Sequence, residues 1–214
     1  MSRTSVRVSV HTKVAQLCEY GGVTRSIDVE ERRRTVSEAA CRVLARDGLG
    51  ALSVRNVAAE AGLPPSTVRY VFPTQSSMRE HTITLVFDRT RERIASIASD
   101  ISGPERAHRI VLELLPLDEE RVIELDVYLA LGNAALTDAE LRPALDRVVA
   151  EMREWSEEIL GLVGVPAVDR EYEARRLHAL IDGLAMHVVR LAPGESGDWA
   201  IDVLDRHLDG VAAG

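Results

Sequence analysis

From Val29 onward, apolar residues recur at steps of three and four, the period of an amphipathic helix. Val36, Ala39, Ala40, Val43 and Leu44 form the first stripe, and Gly48 suits a left-handed residue after its end. Ser53, an N-cap type, opens a second helix with Val54, Val57, Ala58 and Ala61 along one face. Gly62 ends that helix. Pro65 suits the first position of a third, because the N–H it lacks has no helical partner there. Val68 and Phe72 lie one turn apart and are expected to bury, with Pro65 on the same side. Pro73 stops this helix. Ser76 starts a long fourth one, with Met78, Leu85, Val86, Ile94 and Ile97 turned inward.

The Gly-Pro loop at Ser102 to Glu105 is the clearest break in the chain. Five more helices are expected beyond it, over about 104–115, 118–136, 139–162, 168–191 and 198–211. The fold class is therefore all-α. A three-helix unit over 29–75 precedes a larger helical body over 76–214, with 76–101 as the linking helix. The first 28 residues differ. Val6, Val8 and Val10 alternate with polar residues, a strand period, yet a lone strand has nothing to pair with. The expectation for 1–28 is a flexible tail, or a basic arm (Arg3, Arg7, Lys13, Arg25) that reaches DNA.

Charge changes this picture. The 214-residue chain carries a net charge of −8, which taken whole argues against a polyanionic partner. Its halves disagree: residues 1–90 sum to +4 and residues 91–214 to −12. A basic module that meets a polyanion, attached to an acidic body that does not, fits that split. Aromatic residues make up only 4% of the chain, which further favours helices over a sandwich or barrel. Cys18 and Cys41 form no CxxC pair, so neither a zinc ribbon nor a disulfide framework is indicated. No apolar run is long enough to span a membrane, and a soluble, cytoplasmic protein is expected.

The break in "AEAGLPPSTVRYVF" now has a reading. Two short helices separated by a tight glycine turn make a helix-turn-helix, in which the second helix enters the major groove. On a helical wheel Ser66, Thr67 and Tyr70 face away from Val68 and Phe72, while Arg69 sits at the margin. Short hydroxyls and a phenol can contact base edges or thymine methyls. Arg69 and Arg55, with Ser53 and the amides that open the second helix, are better placed for phosphates.

The segment "AACRVLARDGLGALSVRNVAAEAGLPPSTVRYVFPTQSSM" resembles the DNA-binding domain of the TetR family, the tetracycline-repressor-type bacterial regulators. "LLPLDEERVIELDVYLALGNAAL" and "LHALIDGLAMHVV" are similar to the branch with a BetI-type C-terminal domain. The resemblance implies a homodimeric repressor of a palindromic double-stranded DNA operator. The last two long helices would form a four-helix dimer interface, and the middle helices would enclose a small-molecule effector pocket. Carried onto this sequence, DNA contacts fall on Ser53, Arg55, Ser66, Thr67, Arg69 and Tyr70. The dimer interface falls on Leu180, Leu184, His187, Leu204 and Leu208. Pro64 stands where the family often has a capping Ser or Thr, Arg69 where it often has an aromatic, and Gln75 where it often has Lys.

Tyr128, Trp155 and Tyr172 are the large aromatics of the body, either as core or as lining of the effector pocket. The six histidines show no metal spacing, and His178 and His187 face opposite sides of one helix. No cofactor is implied. Without a nucleophile–base pair, metal cluster or phosphate loop, an enzyme is not expected. One alternative stays open: a helix-turn-helix protein whose acidic body binds a protein partner instead of a small molecule. A body holding an apolar pocket with a few convergent polar groups favours the ligand reading, and a solidly packed body favours the alternative.

Overall fold

The structure is a computed structural model that describes the backbone over 10–192 and 194–213, with side chains from Asp28 onward. All regular structure among the described residues is helical. The elements are α1 (Val10–Asp47), a 3-10 turn (Leu49–Ala51), α2 (Val54–Ala61), α3 (Pro65–Val71), α4 (Gln75–Ser96), α5 (Gly103–Glu113), α6 (Glu119–Ala135), α7 (Arg142–Leu162), α8 (Ala167–Val188) and α9 (Asp198–Ala212).

The backbone over 10–28 is helical, where the valine alternation predicts an extended tail. Once the packed stripe from Val36 holds a helix, each further residue adds one hydrogen bond without a new nucleation cost. Arg3 and Arg7, and the side chains of Lys13 and Arg25, lie outside the described residues.

The stripe of α1 packs against α2 and α3. Val36, Ala39, Ala40 and Val43 are fully buried, together with Leu52, Val57, Ala58, Val68, Val71 and Phe72. Each buried Val, Leu or Phe contributes roughly 1.5–3 kcal/mol. Val71 joins Val68 and Phe72 in this core, whereas Pro65 is exposed, contrary to the wheel. Pro65 occupies the first position of α3. Gly48 has the positive φ that favours glycine, at 76°, but its ψ of 175° lies outside the left-handed helical cap expected there. The Gly48 N–H still donates to the Leu44 carbonyl at 2.9 Å, and its own carbonyl accepts from the Ala51 N–H at 3.1 Å in the 3-10 turn that follows.

Thr74 caps α4 with a reciprocal pair: its hydroxyl accepts from the Ser77 N–H at 3.0 Å, and the Ser77 hydroxyl accepts from the Thr74 N–H at 3.2 Å. His81 on α4 shares a 2.9 Å hydrogen bond with Ser37 of α1 and meets Phe72 edge-on at 5.3 Å. These contacts fix α4 against the small core. Farther along, Val86 and Ile94 bury in the body, so one helix spans both regions. The body core is built from α5 to α9 around Ile110, Leu131, Ile159, Leu160, Leu177, Ile181 and Leu204. Gly103 lets α5 start hard against the end of α7, where a Cβ would collide with the Leu162 carbonyl oxygen.

Candidate nucleic-acid interface and body cavity

The turn between α2 and α3 is built by Gly62, whose φ of 65° and ψ of 28° place it in the left-handed region. The next residue, Leu63, donates its N–H to the Ala58 carbonyl at 2.9 Å and packs its side chain on the core. Ser53 caps α2, accepting from the Asn56 N–H at 3.2 Å, while the Asn56 amide donates to Ala51 O at 2.8 Å. Pro64 sits at the cap of α3 and makes no side-chain cap bond. Arg33 of α1 donates to the Val71 carbonyl at 3.4 Å and ties down the far end of α3.

The outward face of α3 presents Ser66, Arg69 and Tyr70, with Thr67 half-buried, and Tyr70 is 64% exposed. Among the described residues neither Arg55 nor Arg69 has a carboxylate within 4.0 Å, so both guanidinium groups are available to an external anion. The one acidic residue of α2, Glu60, is held by Arg42 at 2.8 Å and Arg46 at 2.9 Å. Those hydrogen bonds keep its carboxyl below the usual carboxylate range. Gln75, which stands where the family often has Lys, donates its amide to the Leu52 carbonyl and braces the turn before α2.

The body holds a cavity of about 70 Å³ between α4, α5, α6, α7 and α8. Its apolar wall includes Val86, Phe87, Leu114, Met152 and Ile181, and its polar groups are Thr90, Glu113, Arg121, Glu124, Tyr128 and Asp182. Phe87 stacks on Trp155 (centroids 6.2 Å apart, planes 4° apart) and meets the edge of Tyr128 at 5.7 Å. Arg93 of α4 spans the two glutamates, at 2.8 Å from Glu113 and 2.8 Å from Glu124. Arg121 binds Asp118 at 2.8 Å and lies 3.6 Å from Glu113. Burial raises the Asp182 carboxyl above the ordinary range, opposed only by the His178 imidazole, whose Nε2 is 3.4 Å away. The Tyr128 phenol is pushed up to about 12 by burial and by the Asp182 charge.

Of the three aromatics expected at a pocket, Tyr128 lines this cavity and Trp155 backs it through Phe87. Tyr172 does not reach it: that ring is 67% exposed on α8, with the Arg176 guanidinium over it at 5.9 Å. Among the leucines carried onto an interface, Leu184, Leu204 and Leu208 are buried in the protomer's own core. The apolar stripes of α8 and α9 face inward, which an isolated stripe cannot reveal. Leu180 is half-buried and His187 lies edge-on to Trp199 at 6.4 Å. Sequence reading missed Glu113, Arg121, Glu124 and Asp182. One signal was present: Glu124 occupies the stripe that Val127 and Leu131 continue, and a charge at such a position needs a buried partner.

Residues 104–213, which carry α5 to α9 and most of the cavity wall, match the family of BetI-type transcriptional repressor C-terminal domains. The chain belongs to the TetR family of transcriptional regulators. This TetR-family chain is 32% identical over 191 residues to the HTH-type transcriptional regulator PksA of Bacillus subtilis, covering 87% of this chain and 93% of PksA. A transcriptional regulator from Rhodococcus shares the fold at a TM-score of 0.76 and 24% identity, over 85% of this chain and 96% of its own. A transcriptional regulator from Saccharomonospora viridis, solved in complex with choline, superposes at a TM-score of 0.62 with 28% identity, over 85% of this chain and 95% of its own.

Proposed function

We propose that this TetR-family regulator is a ligand-responsive repressor that binds a palindromic operator as a homodimer in the cytoplasm. Residues 29–75 act as the DNA-binding unit and 76–214 as the regulatory and dimerisation unit. Ser66, Thr67 and Tyr70 read bases, while Ser53, Arg55 and Arg69 hold phosphates. The observation that carries the reading is α4. Its first turn adjoins the recognition helix, and Val86, Phe87 and Thr90 farther along it line the cavity. A ligand that fits the cavity in only one position of α4 shifts the DNA-binding unit with it.

Two details support this coupling. Asp138, in the turn after α6, accepts from the Ser76 hydroxyl at 3.1 Å and lies 3.6 Å from Arg79. Arg147 of α7 pairs with Glu80 at 2.8 Å. The helix that carries Arg121, Glu124 and Tyr128 therefore ends in contact with the first turns of α4. The choline complex of the Saccharomonospora protein supports a small-molecule effector, and the cavity favours it over a protein partner. For the dimer, α8 and α9 leave Val168, Tyr172, Trp199 and Val203 exposed, with His187 edge-on to Trp199.

Mobility-shift titration against the DNA upstream of its own gene tests the repressor half. Specific binding at physiological salt is expected, and binding no tighter than to random duplex sinks it. Sedimentation tests the dimer, since a strict monomer cannot place two recognition helices one DNA turn apart.

A further inference from the structure

Three of the groups facing the cavity are carboxylates, and they are not equivalent. Glu113 and Glu124 share Arg93, and Arg121 lies beside Glu113, so their charge is met within the protein. Asp182, on α8, has no arginine or lysine partner among the described residues. Its nearest basic group is His178 on the same helix, 3.4 Å away, and that imidazole nitrogen is buried without a hydrogen bond to it. Facing Asp182 from α6 is the Tyr128 ring. The Asp182 side chain stays 44% exposed, so its charge meets water and pairs with no described arginine or lysine at the cavity wall. An ammonium entering from outside would pair with it there, beside an apolar wall that strengthens the pair.

We infer that the cavity takes a small organic amine in its protonated form, its N–H donated to Asp182 and its apolar body laid against Val86, Phe87, Met152 and Ile181. This rests on the reading of the cavity as the effector site. The volume of about 70 Å³ holds about five waters, which limits the ligand to a compact molecule. An N–H donor is favoured over a quaternary ammonium because free aromatic faces are scarce. Phe87 and Tyr128 are the aromatic rings in the wall, and Trp155 already stacks on Phe87. A fully alkylated cation gains most from a cage of ring faces, whereas an N–H cation gains from a single carboxylate acceptor. Burial already holds the Asp182 carboxyl above its ordinary range, so the bound ammonium also favours its ionised form.

Isothermal titration of the full chain with isobutylamine, tetramethylammonium and isobutanol at neutral pH compares the three chemistries on compact molecules of equal heavy-atom count. Isobutylamine is expected to bind roughly tenfold or more tighter than either of the others. D182N is expected to lower isobutylamine to the level of the alcohol while leaving the alcohol unchanged, and D182E to retain the preference for the amine. The ranking on the unaltered protein decides even if D182N fails to fold. Equal or tighter binding of the alcohol or the tetramethyl cation overturns the inference, as does binding of none of the three. An amine that binds without releasing operator DNA upholds this ligand class and sinks ligand-responsive repression.

Discussion

Arg69 and Tyr70 are neighbours on α3, both exposed, yet they are assigned opposite tasks, and truncating each to alanine separates those tasks. Neither side chain belongs to the buried core, so folding stability changes by no more than about 0.5 kcal/mol for either variant. The Arg69 guanidinium has no carboxylate partner among the described residues and is proposed to clamp a phosphate. Its loss removes one phosphate contact per protomer, two per dimer, and lowers the salt slope of log K by about 1.8. Over a fourfold rise in salt, Arg69→Ala therefore loses about twelvefold less affinity than the unaltered protein, with specific and non-specific DNA affected alike. Tyr70 carries no charge. Tyr70→Ala leaves the slope unchanged and weakens operator binding by about 1–3 kcal/mol per base contact, with little effect on random duplex. Fluorescence anisotropy on operator and random duplexes at several salt concentrations reads both quantities. An unchanged slope for Arg69→Ala, or equal losses on both DNAs for Tyr70→Ala, refutes the division of labour.

Gly62→Ala forces a side chain into left-handed backbone at a φ of 65° and is expected to cost about 1–2 kcal/mol in chemical denaturation; a neutral result would mean the turn is not left-handed. Glu124→Ala strands one side of Arg93 in a half-buried setting and is expected to destabilise by about 2–4 kcal/mol, with Arg93→Met in the same chain recovering most of it, as a double-mutant cycle measures. For Asp182 the folded carboxyl lies above its unfolded value, so the folded chain holds a proton that the unfolded chain releases. Stability attributable to it falls as pH rises through that window. Asp182→Asn should then melt higher than the unaltered protein near pH 7, with the gap closing toward about pH 4; a gap that widens on acidification reverses the sign.

Local chemistry made much of this legible in the sequence. Ser53, Gly62 and Pro65 set the ends of α2 and α3 because caps and turns depend on the residue itself. The stripe from Val36 to Leu44 revealed the small core because its period matches a helix. What stayed hidden depends on contacts across the fold. The leucines of α8 and α9 announced a buried face but not whether a second protomer or the chain's own core covers it. Asp182 reads as an ordinary surface carboxylate on a helix until α6 is laid beside it. The Gln75 amide finds the Leu52 carbonyl across a span of 23 residues, which no local pattern encodes. Val10 alternates with polar neighbours like a strand residue, yet it lies in helix with α1.

Two copies of α3 are proposed to read an inverted repeat. Selection of bound duplexes from a fully randomised library, using the full-length chain at physiological salt, tests it whatever the operator sequence is. An enriched inverted repeat is expected, its half-site centres about 10–10.5 base pairs, or a whole multiple of that, apart. Tyr70→Ala is expected to lose the enrichment. A library that stays unenriched, or one that yields a single unrepeated site, contradicts it.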